Sequence, residues 1–116
     1  MKSRAETELV KPIRLALGRD DRVVLWRNNT GVAHADYGSA GLKMLRYGLV
    51  KGSADLIGLV KPNGRFVALE VKCNDGALRP EQILFLDLVR SFGGFASVVR
   101  SVTEAMEAVE NAITSG

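Results

Sequence analysis

The chain has one cysteine (Cys73), one histidine (His34) and one tryptophan (Trp26) among its 116 residues. A single cysteine closes no internal disulfide, so the chain suits a reducing cytosol. Cys73 stands beside Lys72, but no histidine or second cysteine is near it in sequence, and it reads as a bystander rather than a reactive thiol. His34 has no partner at metal-ligand spacing and reads as a loop residue. No apolar run approaches the roughly 18 residues of a spanning helix, and the N-terminus lacks a signal-peptide core, so no membrane role is expected. Repeats, low-complexity tracts and linkers are also missing.

What is present describes a folded soluble protein, with hydrophobic residues at 47% and charged residues at 25%. The length fits one domain, residues 1–116, able to bury a core without staples. A net charge of +3 permits a polyanionic partner without demanding one.

The sequence predicts a helix over Arg4–Leu17, opened by the capping box Ser3-Arg4-Ala5-Glu6, ended at Gly18, and kinked or divided at Pro12. A strand follows at Val23–Trp26, then a polar loop, Arg27-Asn28-Asn29-Thr30-Gly31. Residues 32–52, with glycines at 38, 41, 48 and 52, yield no clear element. Ala54–Val60 and Phe66–Lys72 read as strands joined through Lys61-Pro62-Asn63-Gly64-Arg65. Pro80 opens a helix that closes at Gly93-Gly94, Phe95–Arg100 is another strand, and a helix over Thr103–Ala112 follows a second capping box, Ser101 to Glu104. The order αβββαβα implies a mixed sheet with helices on both faces, an α/β fold.

The chemistry concentrates in the hairpin. A two-residue loop at Asn63-Gly64 would set Asp55 opposite Lys72; a four-residue loop would set it opposite Glu70. In either register Asp55 lies beside Glu70 and Lys72, which point to one face of the sheet. Aspartate is disfavoured in an apolar strand, and a charge within Val-Ala-Leu-Glu-Val is costly unless paired or metal-bound. Two carboxylates and an ammonium suit a hard divalent cation and an activated water; a cross-strand ion pair to Lys72 is the plainer alternative.

The first helix offers a third acid. Stepping about 100° per residue from Glu6, the apolar Leu9, Ile13, Ala16 and Leu17 fall within about 80° of it, and Glu8 lies about 160° away. Glu6 therefore shares the packed face, either to complete the capping box or to reach the Asp55/Glu70 end of the sheet, with Glu8 as the fallback. Gln82, in the first turn of the Pro80 helix, could orient a water or phosphate near Lys72, or stand in solvent.

Taken in order, these segments resemble the PD-(D/E)xK nuclease superfamily, and within it the VRR-NUC (virus-type replication-repair nuclease) domain. The resemblance is carried by Arg27-Asn28-Asn29-Thr30-Gly31, Lys51-Gly52-Ser53-Ala54-Asp55-Leu56-Ile57-Gly58, Leu69-Glu70-Val71-Lys72, Gln82, and Gly93-Gly94-Phe95-Ala96-Ser97-Val98-Val99-Arg100-Ser101. It spans nearly the whole chain and departs from the superfamily pattern where Ser53-Ala54 stands in place of a proline before Asp55.

The resemblance implies a restriction-endonuclease-like core and Mg²⁺- or Mn²⁺-dependent phosphodiester cleavage, in a stand-alone domain of the phage and bacterial kind. It also implies a cytoplasmic location, in a bacterial or phage-infected host cell. Stand-alone members are similar to Holliday-junction resolvases, homodimers acting on branched DNA. Carried over, Asp55 and Glu70 become metal ligands assisted by the Val71 carbonyl, and Lys72 positions or deprotonates the attacking water. Gln82 and Glu6 support the metal–water shell.

Arg27, Asn28 and Asn29 offer donors for phosphate or sugar, or form an ordinary turn. Lys43, Arg46, Lys51 and Arg79 could make a basic rim. Trp26, Tyr37 and Tyr47 could stack on unpaired bases or pack in a core or dimer. Met44, Leu45, Leu49 and Val50 could supply a dimer surface. The competing readings are a nicking or restriction-like nuclease on duplex or flap DNA, and a non-catalytic nucleic-acid-binding module. Retained carboxylates beside phosphate argue against the second. The absence of an appended base-reading domain argues against sequence-specific restriction.

Overall fold

The computed structural model describes residues 2–29, 31–36, 42–47 and 49–116, with 31–36 and 42–47 described by backbone alone. Helix α1 (Arg4–Leu17) leads into strand β1 (Val23–Arg27), followed by β2 (Gly31–Asp36), β3 (Leu42–Tyr47), β4 (Leu56–Val60) and β5 (Arg65–Val71). Helix α2 (Pro80–Ser91), strand β6 (Phe95–Val99) and helix α3 (Val102–Thr114) complete the chain. The main sheet has the order β1-β4-β5-β6, antiparallel except for the β5–β6 pair, and β2 and β3 pair with each other as a separate antiparallel ribbon. The α/β class and the mixed sheet match expectation. The β2–β3 ribbon adds two strands to the expected order, in the stretch where glycines mask any periodicity.

The two faces of β5 explain how the layers form. Val67, Leu69 and Val71 point to one side and pack with Val10, Ile13 and Leu17 of α1 and Ala105, Ala108, Val109 and Ala112 of α3. Ala68 points to the other side, where it meets Ala54, Phe85, Leu86, Val89 and Ala96 beneath α2. Strict alternation then sends Glu70 to the α2 side. Helix α1 is continuous through Pro12, neither divided nor ended there. Ser101 Oγ caps α3 by accepting from the Glu104 amide, while Glu104 turns outward to accept from Arg100 N–H, so the second capping box is half formed.

The hairpin loop settles the register. Val60 pairs with Arg65, leaving residues 61–64 as a four-residue loop with φ of 74° at Gly64. Leu56 therefore faces Leu69, and one step further Asp55 faces Glu70. The Lys72 register is excluded. Asp55 also lies just ahead of β4 rather than within it, so it does not interrupt a strand.

Exposed apolar side chains run along α2 at Leu84, Leu88 and Phe92, the last 86% accessible. Leu49 and Val50 are exposed as well. His34 lies in β2, paired with Met44 of β3, and is therefore not a loop residue; the roles proposed for Tyr37, Lys43, Met44, Leu45, Arg46 and Tyr47 fall outside the described side chains.

Candidate active site

Four chain segments end at one edge of the main sheet because of its connectivity. β1 finishes and β4 begins there, β5 delivers Glu70, Val71 and Lys72, and α2 starts a few residues later. The N-terminal residues before α1 close the cluster. The resulting cleft, about 330 Å³, is lined among others by Asp55, Glu70, Gln82, Lys2, Arg27, Asn28, Asn29, Lys51 and Arg79. Of the residues expected to contact nucleic acid, Arg27, Asn28, Asn29, Lys51 and Arg79 border the cleft that holds the two carboxylates, and Trp26 does not.

At its floor Asp55 Oδ2 accepts from the Val71 amide at 2.7 Å, which ties the start of β4 to the end of β5. Glu70 is 1% exposed, and Gln82 Nε2 donates to its Oε2 at 3.2 Å. Gln82 is itself fixed from the other end, because its Oε1 accepts from Arg79 N–H at 2.8 Å. With 4% exposure Gln82 is a buried partner of Glu70, not a solvated helix-start residue.

Lys72 is buried beside them, with Nζ 4.0 Å from Glu70 Oε2; that contact runs along one segment of the chain, and among the described residues Lys72 forms no ion pair across to Asp55. Burial, then the neighbouring Asp55 carboxylate, pushes the Glu70 carboxyl up to about 7 despite the attraction of Lys2.

Glu6 is the buried acid of α1, and Glu8 is exposed in an ion pair with Arg4. Glu6 completes the capping box and also reaches the end of β5, but as a brace on the backbone rather than in the cleft. Its Oε1 accepts from Ser3 N–H at 3.3 Å within the capping box, and its Oε2 accepts from Cys73 N–H at 3.3 Å just past the end of β5. Burial opposes its charge, but those two amides, with Lys2 and Lys72 nearby, hold its carboxyl below the usual range. Glu6 braces the strand end from below and does not line the cleft.

Asn28 borders the cleft but spends its side-chain donors within the protein. Its side-chain amide donates to Ser53 Oγ at 2.7 Å and Ala54 O at 2.9 Å, and its backbone N–H donates to Asp55 O at 2.8 Å. It fastens the segment that presents Asp55. Arg27 and Asn29 are exposed at the rim, as are Lys51 and Arg79. Arg79 is paired with Glu81 at 3.3 Å.

Gly52 lets the 51–55 segment pass close to α2. It has φ of 88°, and a Cβ there would lie 2.5 Å from the Glu81 carbonyl oxygen. Trp26 is half exposed on β1 and packs in neither core cluster.

Sequence reasoning missed Lys2. Its ammonium donates to Glu70 Oε2 at 2.6 Å and to the Val71 carbonyl, and stands 2.9 Å from Asp55 Oδ2. Burial works against that charge, yet the hydrogen bonds to Asp55 and Glu70 raise its pKa above the ordinary value. The signal was its place four residues before the buried Glu6, whose Oε1 lies 3.8 Å from it. The three oxygens around Lys2 Nζ are two carboxylates and one backbone carbonyl. Among the described residues no group of three His, Cys, Asp or Glu side chains is placed to hold a metal. The donor set is nevertheless the hard-oxygen kind that suits Mg²⁺ or Mn²⁺, and it already converges on one cation.

No helix among the described residues is long and apolar enough to cross a membrane. A comparison with curated proteins finds no match. The model of the VRR-NUC domain matches residues 8–103, most of the chain, and the chain therefore belongs to the VRR-NUC domain family of nucleases.

Proposed function

We propose that the chain is a metal-dependent endonuclease that hydrolyses phosphodiester bonds in DNA, with branched DNA such as a four-way junction as its substrate and a homodimer as its working form. The observation that carries the metal-dependent chemistry is the convergence of Asp55 Oδ2, Glu70 Oε2 and the Val71 carbonyl on a single cation. The branched substrate and the dimer rest on the resemblance to stand-alone resolvase-like members.

In this reading Asp55, Glu70 and the Val71 carbonyl hold Mg²⁺ or Mn²⁺. A divalent cation held there supplies Lewis acidity to a phosphoryl oxygen and lowers the pKa of a water. The Val71 amide keeps Asp55 turned toward Glu70, and Gln82 keeps Glu70 from rotating away. Lys72 Nζ, beside Glu70, positions the attacking water and offsets charge developing on the phosphate. Arg27, Lys51 and Arg79 at the rim draw in the phosphate backbone, and Asn29 adds a donor there. Asn28 and Glu6 act from behind, by fixing the segments that carry Asp55 and Lys72.

Cleavage of a labelled immobile four-way junction, beside matched linear and flapped duplexes, in Mg²⁺, Mn²⁺ or EDTA, tests the proposal. Paired symmetric cuts that require metal and disappear in Glu70→Ala support it in full. Preferred cutting of flap or linear duplex would replace the substrate and keep the chemistry. Binding without cutting in either metal would leave a non-catalytic module.

A further inference from the structure

Lys2 lies ahead of the matched family region, and its ammonium sits among the three oxygens to which the metal reading assigns the cation. Lys2 Nζ donates to Glu70 Oε2 and to the Val71 carbonyl, and forms an ion pair with Asp55 Oδ2 at 2.9 Å. Two adjacent carboxylates, one of them fully buried, are costly to keep ionised without a counter-charge. Lys2 supplies that charge from just outside α1, whose cap begins at Ser3, so it can leave without unwinding the helix.

We infer that Lys2 is the resident counter-ion of the metal-free cradle, and that a divalent cation must displace it to bind. This rests on the metal reading of the site. Two cations cannot share the same three oxygens, so each disfavours the other by an equal factor. Lys2 therefore keeps the cradle shaped and partly offsets its charge before metal arrives, and sets the metal concentration at which the site loads.

The test compares the full chain with its Lys2→Met variant, which keeps the apolar stem and removes the charge. Mn²⁺ affinity is measured by titration calorimetry, and thermal midpoints are taken in EDTA and in Mn²⁺. The variant is expected to bind Mn²⁺ more tightly, by roughly 5- to 150-fold for a coupling of ordinary size. It is also expected to melt earlier than the wild type in EDTA and to gain more from Mn²⁺. Equal or weaker Mn²⁺ affinity in Lys2→Met overturns the counter-ion role while leaving the metal site intact. Failure of both proteins to take up Mn²⁺ overturns the metal reading, and this inference with it.

Discussion

Replacing Glu70 with glutamine should change the sign of its effect on stability when metal is added. In the unfolded chain this carboxyl ionises near the ordinary 4.5, whereas in the folded, metal-free protein it is held at about 7. Between those values the folded state keeps a proton that the unfolded state has lost, so wild-type stability falls as pH rises through that window and levels above it. The gap corresponds to roughly 3 kcal/mol. Because Glu70 is almost fully buried, solvent does little to reduce that figure.

Glutamine keeps the shape and stays neutral, so it escapes the penalty. In EDTA, urea unfolding should show Glu70→Gln gaining about 1–3 kcal/mol on the wild type between pH 5 and pH 8, part of the full value being lost with the Lys2 contact. With Mn²⁺ near 100 times its Kd, the wild type should gain about 2.7 kcal/mol and the variant far less. A stability difference that is the same at both pH values would refute the buried, proton-holding carboxyl. Equal stabilisation of both proteins by Mn²⁺ would refute its part in the cradle.

Five further substitutions probe the surrounding frame. Asn28→Ala removes the bonds to Ser53 Oγ and Ala54 O and should cost about 1–3 kcal/mol in urea unfolding, with cleavage reduced and DNA affinity nearly unchanged. Lost affinity at full stability would restore Asn28 to the phosphate contacts. Gly52→Ala puts a Cβ against the Glu81 carbonyl at positive φ and should destabilise by at least about 1 kcal/mol, read in the same way. Arg27→Ala, Lys51→Ala and Arg79→Ala should each lower the slope of log affinity against log salt by about 0.9, measured by anisotropy in Ca²⁺. An unchanged slope would remove that residue from the phosphate path.

The local parts of this fold were legible because their signals are local. Ser3 and Glu6 cap α1 as their spacing suggests, Pro80 opens α2, and the alternation of β5 puts Glu70 on a face with a buried partner. The hairpin register was not decidable, since Pro62 and Asn63-Gly64 are both turn formers and favour loops of different length. It took the pairing of Val60 with Arg65 to choose. The β2–β3 ribbon was hidden because glycines bracket both of its strands.

Within the site, residue types announced the carboxylates but not how neighbours use their donors. Asn28 looked like a phosphate contact because its amide partners, Ser53 and Ala54, are 25 and 26 residues away. Lys2 was missed because its partners Asp55, Glu70 and Val71 are brought to it by tertiary packing.

The most direct test of the central claim is anomalous diffraction from crystals soaked in Mn²⁺. The account predicts a peak in contact with the Asp55 and Glu70 carboxylates and the Val71 carbonyl, with the Lys2 side chain turned away. Soaked crystals with no peak there, or with the peak on other ligands while Lys2 still bridges Asp55 and Glu70, would contradict it.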